Sequence, residues 1–211
     1  MYIECALEAA NRLIGENKPK FSDGAGCYNN GVRQSLLLNL AITLARLYDE
    51  GTKSRHVNDR DVASIPLLAR LLRQKRCRTV LAERARLWTV GLPNFEAAQV
   101  AACSGAIDRA LAAYATLRRS LAGRQAVKKL KDFRDKELAH SLMDQVIEAV
   151  PTINDLLVLM DVARDFSEHA VFAVKGLHHD LKQREEIRLK EARAFWMPIF
   201  GPGSDDGKPK H

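Results

Sequence analysis

Between Val32 and Glu50 the chain reads VRQSLLLNLAITLARLYDE, and Leu37, Leu40, Ala41, Leu44, Leu47 and Tyr48 fall on one stripe at helical spacing. That spacing follows the 3.6-residue turn of an α-helix. A strand would instead alternate apolar and polar positions, and strand-forming runs of Val, Ile, Thr and aromatic residues are nearly absent. Helical spacing returns at Ile3, Leu7, Ala10 and Ile14, and again at Ile65, Leu68, Leu71 and Leu72. It continues at Ile107, Leu111, Tyr114, Leu117 and Leu121, and at Leu156, Met160, Ala163, Ser167, Ala170 and Val174. The expectation is an all-α fold, one bundle of five to seven helices.

Breaks in the pattern place the helix ends. Ser64 is positioned to cap the helix that starts at Ile65, and Asn94, after Pro93, to cap the next, whose apolar face should run on to Gly123. Thr152 and Asp155 have the spacing of a capping box. Gly176 should end or bend the long helix they open. Residues 15–31, GENKPKFSDGAGCYNNG, read as a long loop, and 51–61 as a polar break. LHHDLKQREEIRLKEARAFW reads as a last helix, and GPGSDDGKPKH as a disordered tail. Without an internal repeat or an evident boundary, the expectation is a single helical domain over 1–198, with a flexible loop at 15–31 and a tail at 199–211.

The formal net charge of +7 favours a polyanionic partner such as nucleic acid. Cys5, Cys27, Cys77 and Cys103 have neither C-x-x-C spacing nor a histidine at ligand distance, which reads as free thiols in a reducing compartment. Glu4 and Glu8 interrupt what would be the apolar core of a signal peptide, and no apolar run reaches membrane length. A cytoplasmic protein is expected.

The segment FRDKELAHSL places Arg134, Asp135 and His140 close together. Spacing alone says little. With 20 arginines and 6 histidines, chance supplies roughly half an Arg-x5-His pair in such a chain. Arg164, Asp165 and His169 form a second loose match. Residues five apart point about 140° away from each other on a regular helix, so that pair reads as surface charge. Arg134 and His140, six apart, lie about 120° apart on a straight helix. They can converge if the segment is distorted, if it begins at an unwound turn, or if two copies meet across a dimer axis.

The surroundings carry more information. LNLAITLARLYDE, then SIPLLARLL, then FRDKELAHS some sixty residues on, together resemble the abortive-infection U-type branch of the HEPN superfamily, over about residues 33–176. The resemblance is most specific at Arg134-Asp135-Lys136-x-Leu138-Ala139-His140 and at Ser64-Ile65-Pro66-x-Leu68. It implies a HEPN-like helical bundle, usually a two-fold dimer, with the arginine, polar residue and histidine lining a cleft at the dimer interface. It also implies metal-independent ribonuclease activity used as a toxin or antiviral effector. One HEPN subgroup carries a tyrosine two positions after the histidine, where a partner enzyme adds AMP. Leu142 stands there in this chain, which argues against that mode of neutralisation and leaves a cognate antitoxin protein covering the cleft as a partner.

The residue types suit the chemistry. Histidine titrates near neutrality, so His140 is the candidate to take the ribose 2′-hydroxyl proton or protonate the leaving 5′-oxygen. Arginine stays charged and its planar fork grips phosphate oxygens, so Arg134 is the candidate to stabilise the phosphorane. Asp135 is the candidate to orient either one. Lys128, Lys129, Lys131, Lys136 and Arg119 are candidates to contact the RNA backbone. No metal or other cofactor is expected. Two other readings stay open: a non-catalytic helical module that binds RNA or protein, and a helical DNA-binding regulator resting on the basic segment 73–86.

Overall fold

The computed structural model describes residues 2–16, 31–51, 63–89, 93–135, 151–178 and 180–200, and among them every regular element is helical. In chain order these are α1 (Tyr2–Glu16), α2 (Arg33–Leu47), α3 (Ile65–Arg73), α4 (Lys75–Ala85), α5 (Glu96–Arg119), α6 (Leu121–Phe133), α7 (Ile153–Lys175) and α8 (Leu181–Phe200). A short 3-10 turn, Pro93–Phe95, precedes α5.

The described residues thus hold eight helices where five to seven were expected, because two interruptions are only a residue wide. Gln74 takes an extended conformation and separates α3 from α4. Ser120 does the same between α5 and α6, and its hydroxyl accepts the Gly123 N–H at 3.0 Å. The apolar face expected to run through Leu121 therefore stops at Leu117: Leu117 is buried, whereas Leu121 is 64% exposed. Asn94 lies inside the 3-10 turn and is not the cap; Phe95 occupies that position and makes no side-chain capping bond.

The other end signals behave as expected. Ser64 Oγ accepts the Leu67 N–H. Thr152 and Asp155 form a reciprocal capping box. Gly176 closes α7 in the left-handed conformation, with φ +69°.

The helices fall into two compact units. One joins the described parts of 1–40 and 180–211, and the other lies within 41–179. In the first, α1 packs along α8. Ala9, Ala10 and Leu13 are buried with Trp196 and Phe200, and these two rings stack at 5.3 Å. Helix α8 runs through Phe200, past the expected start of the tail at 199. Residues 17–30 and 201–211 lie outside the described residues.

In the second unit α5 is the hub, packing against α3, α4, α6 and α7. Its buried face mixes small residues, Cys103, Ala106 and Ala110, with Ile107, Tyr114 and Leu117, and Ala106 and Ala110 are fully enclosed. Alanine favours helix and lets a neighbour approach closely. The approach is close enough for Cys103 Sγ to reach the Ala173 carbonyl of α7 at 3.4 Å. Tyr114 and Phe166 meet edge to face in the same seam, ring centres 6.4 Å apart. At the end of α2, buried Tyr48 donates its hydroxyl to the Leu159 carbonyl at 2.6 Å, which anchors the following turn to α7. Among the described residues no helix is long and apolar enough to cross a membrane.

Candidate active site

The anchored turn after Tyr48 carries Asp49, Glu50 and Gly51. Asp49 Oδ1 accepts the Gly51 N–H at 2.9 Å, which fixes the carboxylate at the turn. Gly51 has φ +66°, a conformation that glycine adopts without strain. Facing this turn is the end of α6. Arg134 follows Phe133 as the residue that closes that helix, and its backbone N–H reaches both the Leu130 and the Lys131 carbonyls. Residues 134–135 continue in a wider, π-type turn, so the chain leaves straight α-geometry at the arginine itself.

Two carboxylates hold the Arg134 side chain. Its Nε donates to Asp135 Oδ1 at 2.8 Å, its Nη2 lies 2.8 Å from the same oxygen, and its Nη1 lies 3.1 Å from Asp49 Oδ1. Burial alone would lower the guanidinium pKa, but the bonds to Asp135 and Asp49 outweigh it and raise the pKa above its ordinary value. Arg134 is a fixed cation at every working pH. A guanidinium has five N–H groups. These three contacts occupy at most three of them, so two remain for an incoming oxygen.

Beside this pair lies a cavity of about 520 Å³. Arg118, Arg124, Lys128, Lys131 and Arg134 line it together with Asp49 and Glu50. Helical spacing explains the selection: Arg124, Lys128 and Lys131 lie four and three residues apart, on one face of α6. Lys129 is on the other side, where its Nζ pairs with Asp155 Oδ2 at 2.9 Å at the capping box of α7. Arg119 lines a neighbouring cavity that shares Glu50 and Arg118 with the first. Arg118 pairs with Glu50 at 2.8 Å between the two.

Of the residues singled out from the sequence, the fold therefore gathers Arg134, Lys128 and Lys131 around one cavity, with Asp135 bonded to Arg134. Arg119 is placed next door and Lys129 apart. Lys136 and His140 lie outside the described residues. The second arginine–histidine string forms surface pairs along α7: Arg164 with Asp161 at 3.7 Å, and His169 with Asp165 at 3.3 Å. Sequence reasoning missed Asp49 and Glu50. The available signal was the pair of acids directly after Tyr48, where the apolar stripe ends.

Among the described residues no group of three or more His, Cys, Asp or Glu side chains has a geometry that would hold a metal ion. Cys5 and Cys103 are buried, and burial pushes both thiols up, away from the reactive thiolate.

A family model described as AbiU2, of HEPN type, matches residues 28–195. No curated protein and no solved structure matches the chain.

Proposed function

The chain belongs to the AbiU2 family of HEPN domains, and from that premise we propose that it is a metal-independent endoribonuclease of the abortive-infection type. The observation that carries this reading is Arg134: a permanently charged guanidinium, oriented by two carboxylates, beside a cavity lined by four further cations. Such a cavity suits a phosphodiester.

The reaction is a transesterification. The ribose 2′-oxygen attacks the adjacent phosphorus, the new O2′–P bond forms, and the P–O5′ bond breaks. His140 takes the 2′-hydroxyl proton or supplies one to the departing 5′-oxygen. The two free N–H groups of Arg134 meet the charge that builds on the non-bridging oxygens. Asp135 and Asp49 position Arg134. Lys128, Lys131 and Arg124 hold flanking phosphates, which makes binding sensitive to salt. Two copies meeting across a two-fold axis would bring a second Arg134 and His140 to one cleft. A cognate antitoxin would act by covering it.

Labelled RNA incubated in EDTA with wild type, Arg134→Ala and His140→Ala tests the reading. Wild type is expected to cut and leave 2′,3′-cyclic phosphate ends, and each variant to lose about 10²–10⁴-fold in rate with unchanged melting. Variants as fast as wild type would overturn the assignment.

A second reading has an observation of its own. The two carboxylates that orient Arg134 also compete with phosphate for it, as expected of a helical module that binds RNA or protein without cutting. RNA binding by wild type with no products in the same assay would favour this reading.

A further inference from the structure

The cavity beside the first is not used by the cleavage chemistry. It is an open cavity of about 620 Å³ between α3 and the end of α5. Four arginines line it: Arg70 and Arg73, one turn apart on α3, and Arg118 and Arg119 on α5. The one carboxylate lining it, Glu50, is already paired with Arg118 at 2.8 Å. Arg70 Nε is buried with no hydrogen-bond partner. Arg73 and Arg119 form no ion pair among the described residues.

A buried donor without an acceptor is unfavourable, and Arg73 and Arg119 are exposed guanidiniums whose N–H groups are not taken up by a carboxylate among the described residues. The guanidinium groups of Arg70, Arg73 and Arg119 in one wall suit one kind of occupant, a group with several anionic oxygens. Guanidinium forks match phosphate oxygens two at a time. The volume is that of a small-molecule site, more than one phosphate fills. Tyr114, also in the wall, is a buried phenol whose pKa burial raises, so it stays a neutral O–H donor.

We infer that this four-arginine cavity binds phosphates linked in series, held by Arg70, Arg73 and Arg119. The phosphates belong either to a free oligophosphate or to the backbone of a single strand. The second source rests on the ribonuclease reading, because the strand would pass from Arg134 across the shared Arg118–Glu50 pair.

The test is a binding measurement that needs no turnover. Sodium tripolyphosphate is titrated calorimetrically, and a labelled 2′-O-methyl RNA about twelve nucleotides long is followed by anisotropy over a salt series. Its blocked 2′-oxygen prevents cleavage, so failure to bind and failure to cut are read separately. Arg73→Ala and Arg119→Ala alter exposed side chains, Arg70→Lys keeps the charge but loses the fork, and Arg84→Ala removes an exposed arginine elsewhere. Arg73→Ala and Arg119→Ala are expected to weaken the bound ligand about ten-fold and to lower the salt slope by about one, with Arg84→Ala near wild type. Weakened tripolyphosphate binding assigns the free oligophosphate; weakened RNA binding alone assigns the strand. If neither ligand loses more affinity through the cavity variants than through Arg84→Ala, the inference is overturned. A wild type that binds through the cavity yet never cuts RNA would remove the ribonuclease reading and leave the cavity standing.

Discussion

Asp49 does two things with one carboxylate oxygen: it accepts the Gly51 N–H and faces Arg134 at 3.1 Å. Both side chains of the ion pair are about 30% exposed, so solvent screens it only in part. Asp49→Asn keeps an acceptor for Gly51 but removes the charge. Single-turnover cleavage is expected to fall about ten-fold, as for a lost charged hydrogen bond, while RNA affinity measured by anisotropy holds or rises. Unchanged cleavage would mean that Asp135 alone sets the guanidinium. Asp155 gives a pH-dependent counterpart. Partial burial raises its pKa, but Lys129 and Thr152 outweigh this and hold the carboxyl below the ordinary aspartate range. Its folded pKa is depressed, so its stabilisation is fully present above about pH 4 and fades as pH falls through the lower folded value. Asp155→Asn should cost about 1 kcal/mol at neutral pH and little in strong acid, read from melting curves across that range. A variant deficit that stays constant with pH would contradict this. Arg134 was legible because an arginine, an aspartate and a histidine lie on one short string. Asp49 was not, because only the fold brings the end of α2 to the end of α6.

At the level of helices, end signals were legible where a side chain or a glycine makes a local bond. Ser64, the Thr152–Asp155 box and Gly176 all act within one turn of sequence. Ser120 escaped because a serine is tolerated inside a helix, and nothing local shows that its hydroxyl will cap Gly123 instead. The closure of α7 is doubly constrained. Gly176 has φ +69°, and a Cβ there would lie 2.4 Å from the Trp88 ring. Trp88 is held edge to face by Phe172 at 5.3 Å. Gly176→Ala must therefore strain the backbone and displace an indole, at about 3 kcal/mol. Chemical denaturation with tryptophan fluorescence should show both the lost stability and an altered Trp88 signal. A variant within error of wild type would mean that the turn can relax in another way.

Across the whole molecule, the all-α character was plain from period and composition, because burying a 3.6-residue stripe leaves a chain few alternatives. Partner choice was not, since apolar stripes of similar width carry no address. That is why the pairing of α1 with α8 had to come from the structure. The shared-cleft proposal also belongs to this scale. Light scattering at micromolar concentration should give about twice the 23.6 kDa chain mass. A monomer that still cuts RNA would confine the chemistry to one copy.

The α1–α8 pairing has a consequence in time. A ribosome releases α1 well before α8, with the whole of 41–179 between them. Among the described residues the helices that α5 packs against most, α3, α4, α6 and α7, lie within 41–179, so that unit can close before α8 has fully emerged. The apolar stripe of α1, with Ala9, Ala10 and Leu13, must wait for Trp196 and Phe200. The basic cavities thus belong to a unit that can finish before α8 arrives, and α1, made ahead of that unit, is buried after it.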